Sequence, residues 1–172
     1  QRLSRHDALT GLFNRRAMEE ALEAQLIRSR RTKEPFVVMM LDLDHFKHIN
    51  DRHGHPVGDR ALKHAADLLQ SAMRASDSLG RFGGEEFVLL LPNTPIDQAE
   101  AVAEKVRHLF ESSPLTNEAT MVKMSASIGV AQWRDSADDI SRLLSRADAA
   151  LFQAKVQGRN RVVTAMDAAA IA

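Results

Sequence analysis

Residues 81–87 read Arg-Phe-Gly-Gly-Glu-Glu-Phe and lead directly into an apolar run at residues 88–91. Two glycines, two acids and a hydrophobic segment are typical of a tight β-hairpin with carboxylates at its tip, because glycine tolerates turn conformations and leaves the backbone open to a ligand. Two adjacent ionised acids repel each other unless a cation lies beside them, and a divalent metal ion is the natural candidate. These residues alone leave open an ordinary turn with solvated glutamates.

A second group of acids follows another predicted strand. Residues 36–41 are continuously apolar, as expected of a central strand buried on both faces, and Asp42 and Asp44 come next. If this strand lies beside the hairpin, Asp42, Glu85 and Glu86 converge at one edge of the sheet. Their hard oxygen ligands suit Mg²⁺, which substrate phosphates usually help to coordinate. The competing interpretation of Asp42, and more strongly of Asp44, is capping of the following helix.

The remaining pattern predicts a single α+β domain. Asn14 and Thr94 are predicted to cap helices at their N-termini, and Gly158 is predicted to cap the last helix at its C-terminus. The alternation at residues 121–133 predicts one strand with a single covered face. Helices are predicted at residues 15–31, 46–51, 58–73, 95–109 and 139–157, and strands at residues 36–41, 78–82, 86–91, 121–133 and 162–164. We expect the domain to span residues 1–165 and residues 166–172 to form an alanine-rich tail.

Composition limits the possible functions. The 172 residues suffice for one well-buried domain, and acids balance bases to a formal charge of zero. A broad electrostatic interaction with nucleic acid or an anionic membrane is therefore not expected. The chain has no cysteine, which excludes disulfides and thiolate metal sites, and no apolar run approaches the roughly 20 residues of a membrane span. We expect a domain cut from a longer protein, whose other part could be a membrane-bound sensor.

Several basic side chains could bind phosphate. Lys47 follows the first predicted strand, and Lys155 and Arg159 lie near the end of the last helix. For Lys155 and Arg159, favourable interaction with the helix C-terminus is the alternative. Four of the seven histidines lie between His45 and His55, but their spacing fits no usual zinc site.

Short blocks of residues follow one another in a characteristic order over nearly the whole chain. They are residues 7–12 with Asn14 and Arg15, residues 42–47 with Asn50 and Asp51, Gly54 with His55, Gly58 with Asp59, residues 83–87, residues 127–130, Ala147 with Asp148, Ala154 with Lys155, and residues 158–160. Taken together, these blocks resemble the GGDEF family of diguanylate cyclases, in its Gly-Gly-Glu-Glu-Phe form, and their order and spacing make the resemblance specific. One mild departure is Phe152, where the family often has tyrosine.

The resemblance implies a fold and an activity. The fold is a central, mostly antiparallel five-stranded sheet flanked by helices, with the ferredoxin-like βαββαβ core of nucleotide cyclases and palm domains. The activity is Mg²⁺-dependent (or Mn²⁺-dependent) condensation of two GTP into cyclic di-GMP, with loss of two pyrophosphates. Productive chemistry requires a homodimer, because each domain binds one GTP and each 3′-hydroxyl must face the other α-phosphate.

The resemblance also implies roles for individual residues. Asp42, Glu85 and the backbone carbonyl of Leu43 would hold the metal, and Glu86 would assist it or help deprotonate the 3′-hydroxyl. The residues implied in catalysis are therefore Asp42, Glu85, Glu86 and Lys155. The residues implied in substrate binding are Leu9 at the base, Asn50 and Asp59 on the guanine edge, and Lys155 and Arg159 at the β- and γ-phosphates. Phe46, Lys47, Gly83 and Gly84 are also implied in substrate binding.

Arg74 and Asp77 match the family's Arg-x-x-Asp inhibitory site, where cyclic di-GMP docks away from the active site. The alternative is a surface ion pair at a helix end. The expected partners are GTP, cyclic di-GMP, a second copy and an upstream regulatory domain, in the cytoplasm and without nucleic acid. Two other functions remain open: a catalytically silent module that binds GTP or cyclic di-GMP, and another nucleotidyl transferase on a related fold.

Overall fold

The structure is a computed structural model that describes residues 3–166. Apart from Met166, the predicted tail at residues 166–172 therefore lies outside the described residues. Helices and strands are mixed along the chain, and several helices or strands follow one another directly. The elements are α1 (Arg15–Thr32), β1 (Phe36–Leu43), α2 (Phe46–His53), α3 (His55–Ala72), β2 (Ser78–Gly83), β3 (Glu86–Pro92), α4 (Ile96–Ser112), β4 (Leu115–Asn117), β5 (Thr120–Val122), β6 (Ala126–Gln132), α5 (Ile140–Val156) and β7 (Val162–Thr164).

Five strands form the main sheet, in the order β2-β3-β1-β6-β7. All neighbouring pairs are antiparallel except β6 and β7, which run parallel. Without β7, the strand order matches that of a ferredoxin-like βαββαβ unit, in which the first strand lies in the interior of the sheet. The predicted five-stranded, mostly antiparallel fold is confirmed.

Strand β1 separates two hydrophobic clusters. Val37, Met39 and Leu41 pack into a cluster with α3 and α4, whereas Val38 and Met40 pack into a cluster with α1 and α5. Because side chains alternate across a strand, helices on both faces require an apolar residue at every position. This arrangement explains the uninterrupted apolar run, and all eight residues of β1 are buried.

The prediction of one strand at residues 121–133 was wrong. The chain forms two strands there, because β5 pairs with β4 in a separate hairpin before β6 enters the main sheet. Both faces of β6 are covered, since Ala126, Ile128 and Val130 belong to the cluster with α3 and α4 and Ala131 belongs to the cluster with α1 and α5. A Cβ atom on Gly129 would lie 2.1 Å from the carbonyl oxygen of Ala147. The small side chains therefore reflect close helix packing and not an exposed face.

Local signals predicted some helix ends and missed others. The Asn14 side chain accepts a hydrogen bond from the backbone N–H of Ala17, which confirms the predicted cap of α1. Thr94 does not cap α4. That helix begins after Pro95, and the Thr94 hydroxyl donates to the carbonyl oxygen of Pro92. The residues of α4 that are buried are Ala99, Ala103, Val106 and Phe110.

Helix α3 begins at His55, earlier than predicted, because Pro56 is accommodated in its first turn. Among the helices of residues 3–166, none is long and apolar enough to cross a membrane.

Candidate active site

The carboxylates predicted from separate segments lie at the same edge of the sheet. Asp42, near the end of β1, is paired directly with Glu86, the first residue of β3. The backbone N–H of Leu43 donates to the carbonyl oxygen of Glu85 over 3.2 Å. Directly paired residues of antiparallel strands point to the same face with their Cβ atoms about 5 Å apart. Strand pairing therefore brings the hairpin acids next to Asp42.

Asp42 lies in an electrostatically demanding position. Its side chain is nearly buried, and Oδ2 forms an ion pair with Nζ of Lys155 from α5. Oδ1 is buried and has no hydrogen-bond partner among the described residues. A buried carboxylate oxygen without a donor is costly unless a cation satisfies it. Asp42 therefore does not cap a helix, and its free oxygen fits a metal ligand.

The acids at this edge supply only part of a metal coordination shell. Within residues 3–166, no three His, Cys, Asp or Glu side chains are already gathered closely enough to hold a metal ion. Mg²⁺ commonly takes one or two carboxylates and completes its octahedron with waters and substrate phosphates. Asp42, together with the hairpin acids Glu85 and Glu86, suits that kind of site.

Glu86 has an elevated pKa. Burial is the largest cause, and the negative charges of Asp42 and Asp148 raise the pKa further. Arg15 and Lys155 lower it, but they do not outweigh the other effects. Asp148 and Arg15 were recognised in the sequence only as parts of family blocks. The structure adds them to the electrostatic surroundings of Glu86.

An ion pair holds the hairpin near its tip. The Arg81 guanidinium donates to both carboxylate oxygens of Asp7 at 3.1 and 3.2 Å, and also to the carbonyl oxygen of Gly84. Burial by itself raises the pKa of Asp7, but hydrogen bonds from Thr10 and the contact with Arg81 outweigh it and leave the pKa below its usual value. The hairpin tip is thus attached to the N-terminal loop.

The glycines leave the hairpin tip open. A Cβ atom built on Gly83 or Gly84 would meet no other atom of residues 3–166 within 4 Å. Neither glycine has a positive φ. The protein itself therefore does not require glycine at these positions, which is consistent with a ligand that approaches the backbone.

The predicted guanine contacts lie at the junction of α2 and α3. A Cβ atom on Gly58 would lie 1.8 Å from Oδ1 of Asn50 and 3.4 Å from Cζ of Phe46. Oδ1 of Asn50 is buried and has no hydrogen-bond partner in the described part of the chain. Asp59, which follows Gly58, is exposed. The junction therefore offers an unsatisfied amide oxygen beside an available carboxylate.

The other predicted base and phosphate contacts differ in exposure. Leu9 is partly buried and packs on the core cluster of α3 and α4. Lys47 is exposed on α2, and no ion pair to it is recorded among residues 3–166. Arg159 is half-buried with a φ of 65°, and its backbone N–H donates to the carbonyl oxygen of Ala154. Within the described range its guanidinium has no recorded hydrogen bond, whereas Lys155 is engaged with Asp42.

Asp44 has a role that the sequence did not reveal. It does not cap α2, whose N-cap is His45 in a left-handed conformation without a side-chain bond. The buried carboxylate of Asp44 instead accepts hydrogen bonds from the hydroxyls of Ser125 and Ser127 and from the backbone N–H of Asn160. All three donors are distant in sequence, so no local signal could have identified them.

Arg74 and Asp77 form a local ion pair before β2. Asp77 accepts from the backbone and the guanidinium of Arg74, and its side chain is only 2% exposed. Arg74 also donates to the hydroxyl of Thr94. The pair precedes the first residue of β2, whereas Glu85 and Glu86 follow its last residue, so the strand separates it from the carboxylates.

The chain is similar to known proteins in sequence and in structure. The family model described as "Diguanylate cyclase, GGDEF domain" matches residues 4–161. Diguanylate cyclase DgcM of Escherichia coli K12 is 41% identical over 160 residues, which cover 93% of this chain and 38% of that protein. Response regulator PleD of Caulobacter vibrioides is 41% identical over 159 residues, which cover 91% of this chain and 35% of that protein. The chain thus spans well under half the length of these relatives.

Solved structures agree with the sequence comparison. The GGDEF domain of DgcB from Caulobacter crescentus, in complex with c-di-GMP, superposes with a TM-score of 0.90 at 30% identity, covering 96% of this chain and 98% of that one. Diguanylate cyclase SiaD from Pseudomonas aeruginosa, in complex with its activator SiaC, has a TM-score of 0.91 at 42% identity, covering 94% of this chain and 62% of that one.

Proposed function

The chain belongs to the GGDEF domain family of diguanylate cyclases, and from this membership we propose that it condenses two GTP into cyclic di-GMP with release of two pyrophosphates. The observation that carries the proposal is the pairing of Asp42 with Glu86, which leaves a buried, unpartnered carboxylate oxygen beside an open glycine turn. Phosphoryl transfer needs positioning and neutralisation of charge more than covalent chemistry from the protein.

GGDEF diguanylate cyclases generally need a divalent metal ion. We assign Asp42, Glu85, Glu86 and the carbonyl of Leu43 to that ion, with Mg²⁺ or Mn²⁺ as candidates. Oxygen ligands favour these hard cations, and the free Oδ1 of Asp42 supports the assignment. When bound, the ion supplies positive charge to the phosphate oxygens.

We assign proton removal to Glu86. The 3′-hydroxyl of one GTP loses its proton, its oxygen forms a bond to the α-phosphorus of the other GTP, and the bond to the pyrophosphate leaving group breaks. Burial and neighbouring acids raise the pKa of Glu86. A carboxylate with a raised pKa binds a proton more tightly than an exposed one, and it acts as a base in its ionised form. Its place opposite Asp42 supports this role.

We assign the β- and γ-phosphates to Lys155 and Arg159, and we assign further phosphate contacts to Lys47 and the backbone of Gly83 and Gly84. The Arg159 guanidinium is not committed to another residue of the described chain, and the glycines leave space at the turn. Lys155 already lies against Asp42, so its ammonium group is close to one of the acids that would hold the metal ion.

Guanine recognition is assigned to Asn50 and Asp59, with Leu9 and Phe46 packed around the base. A carboxylate can accept from both the N1–H and the exocyclic amine of guanine, whereas adenine has no such donor pair on that edge. Leaving Asp59 unpaired against adenine would cost about 1–3 kcal/mol. The buried, unsatisfied Oδ1 of Asn50 supports a polar ligand at the same place.

Two domains must meet for the reaction, because each holds one GTP whose 3′-hydroxyl attacks the other. We therefore propose a two-fold homodimer as the active species, regulated by parts of the parent protein.

We also propose that cyclic di-GMP inhibits the enzyme by binding to Arg74 and Asp77. An arginine can fork onto guanine O6 and N7, and an aspartate can accept from its N1–H and amine. We further propose that the reaction takes place in the cytoplasm.

The direct test is incubation of the domain with GTP and Mg²⁺ followed by chromatography of the products. We expect cyclic di-GMP and pyrophosphate from the parent chain and none from Glu86→Gln. Glu23→Gln is a matched control, since Glu23 is an exposed glutamate on α1. GTP binding without product in the parent chain would instead establish a silent binding module.

A further inference from the structure

The loop after α5 has an unusual backbone. Gly158, Arg159 and Asn160 have φ values of 123°, 65° and 46°, so three successive residues lie in the positive-φ region. For arginine this conformation is unfavourable and persists only where surrounding groups hold it, whereas asparagine adopts it more readily. The loop carries Arg159, to which the proposed function assigns the terminal phosphates of GTP. Its conformation therefore needs a structural cause.

Asn160 is held from several sides. Its backbone N–H donates to Oδ2 of Asp44 over 2.9 Å. Its Oδ1 accepts from Nη1 of Arg107 over 3.1 Å, and its Nδ2 donates to Oε2 of Glu111. Both side-chain partners belong to α4, and Arg107 is 53 positions away in sequence.

Arg107 is itself fixed. Its guanidinium donates to Glu104 at 2.6 and 2.8 Å and to Glu111 at 3.3 Å, and its side chain is 17% exposed. The core of the domain does not depend on this network, because α4 packs into the core through a different face with Ala99, Ala103, Val106 and Phe110. The surface of α4 that carries Arg107 and Glu111 faces the loop.

We propose that Arg107 and Glu111, acting through Asn160, are positioning residues that hold Arg159 in place for the terminal phosphates of the nucleotide. The inference rests on the proposed function, since it takes Arg159 as a phosphate contact. Without the two α4 side chains, the loop keeps its backbone bonds to Asp44 and Ala154 but loses both contacts to the Asn160 side chain. Binding of a triphosphate must then reorder Arg159, at a cost in affinity. The guanine pocket belongs to α2 and α3, so recognition of the base is unaffected.

The test compares two nucleotides that differ only beyond the α-phosphate. The affinities of Arg107→Met for a non-hydrolysable GTP analogue and for GMP, both with Mg²⁺, are measured by calorimetry. We expect Arg107→Met to bind the analogue about tenfold more weakly than the unmodified chain, which is the scale of one charged hydrogen bond. Its affinity for GMP should stay within about twofold of that of the unmodified chain. Arg142→Met is the matched control, because Arg142 is an arginine at helical spacing from its partner Asp139.

A double variant separates positioning from independent binding. If Arg107 acts through Arg159, Arg107→Met together with Arg159→Ala binds the analogue no more weakly than Arg159→Ala alone. Additive losses, equal losses for analogue and GMP, or no loss would each overturn the inference. Arg107→Lys, which keeps a donor, should recover part of the affinity.

Two further readouts keep the result interpretable. Should Arg107→Met fail to fold by circular dichroism, Glu111→Gln on the exposed side of the network is subjected to the same comparison. Binding of the analogue is measured without turnover. If the unmodified chain binds the analogue but forms no product from GTP, the proposed activity is overturned and this inference stands. If the unmodified chain binds neither nucleotide, both are overturned.

Discussion

Asp42 and Glu86 lie directly opposite each other on β1 and β3, at the edge of the sheet where the glycine hairpin turns. Two acids on paired positions repel each other, and only Lys155 forms an ion pair with one of them within the described residues. The excess negative charge is the physical basis of the proposed metal site. Burial is the largest cause of the raised pKa of the proposed base, Glu86, and the neighbouring negative charge raises that pKa further.

Asp148→Asn should shift the pH dependence of the reaction. The negative charge of Asp148 contributes to the raised pKa of Glu86, so its removal lowers that pKa. A base is active when deprotonated, and the acidic limb of the rate profile should therefore move to lower pH. Initial rates between about pH 5 and 8 measure the shift. Asp67→Asn, an exposed change on α3, should leave the limb unmoved; an identical limb in Asp148→Asn would contradict Glu86 as the base.

Lys155→Met should destabilise the metal-free domain. The substitution leaves the nearly buried Asp42 without its ion-pair partner. Because Lys155 is itself partly exposed, we expect a loss of about 1–2 kcal/mol in the free energy of unfolding. Urea denaturation in EDTA measures it, with Lys63→Met on an exposed face of α3 as the control. Unchanged stability would show that solvent, and not Lys155, balances the charge of Asp42.

Gly58→Ala should weaken GTP binding. The new methyl group would lie 1.8 Å from Oδ1 of Asn50, so the amide must move away from the base pocket. We expect about tenfold lower affinity for a GTP analogue, the scale of a lost hydrogen bond to the base. Thermal unfolding of Gly58→Ala is measured alongside. Its reference is Gly83→Ala, another glycine-to-alanine change, which has free space around its Cβ and should leave the unfolding temperature unchanged. Full affinity in Gly58→Ala would remove Asn50 from the guanine contacts.

Arg74→Ala should relieve inhibition by the product. The measured quantity is the ratio of initial rates with and without added cyclic di-GMP, so any change in the basal rate cancels. We expect the inhibitory concentration to rise at least about tenfold, since a bidentate contact to guanine is lost. Arg142→Ala, another arginine paired at helical spacing, is the control. Undiminished inhibition would make the Arg74–Asp77 contact purely structural.

Specific activity should rise with protein concentration. In the proposed reaction, each catalytic event joins two GTP molecules held by different domains, so a dilute domain meets its partner rarely. The rate per domain is measured over a dilution series at saturating GTP, while binding of a GTP analogue should stay constant. A rate per domain that is independent of dilution would contradict catalysis by a transient homodimer.

Local signals made much of the fold predictable. The apolar run of β1, the Asn14 cap and the glycine hairpin each depend on interactions within a few residues. Thr94 shows the limit of this kind of prediction. Its hydroxyl has good capping chemistry, but Arg74 and the Pro92 carbonyl compete for it. The hairpin of β4 and β5 was missed, because an alternating pattern does not reveal which strand a segment will pair with.

The sequence by itself determined the kinds of atoms available to the site: acids after a buried strand, acids at a glycine turn, and cations near the last helix. Residue order and spacing are enough to identify such a set, because each motif is local. Only the tertiary structure decided which atoms meet. It gave Asp44 three hydrogen-bond donors from distant segments, placed Asp148 and Arg15 around Glu86, and fixed Asn160 through α4. Those contacts depend on how helices pack against the sheet, and such packing joins residues whose separation in sequence carries no signal.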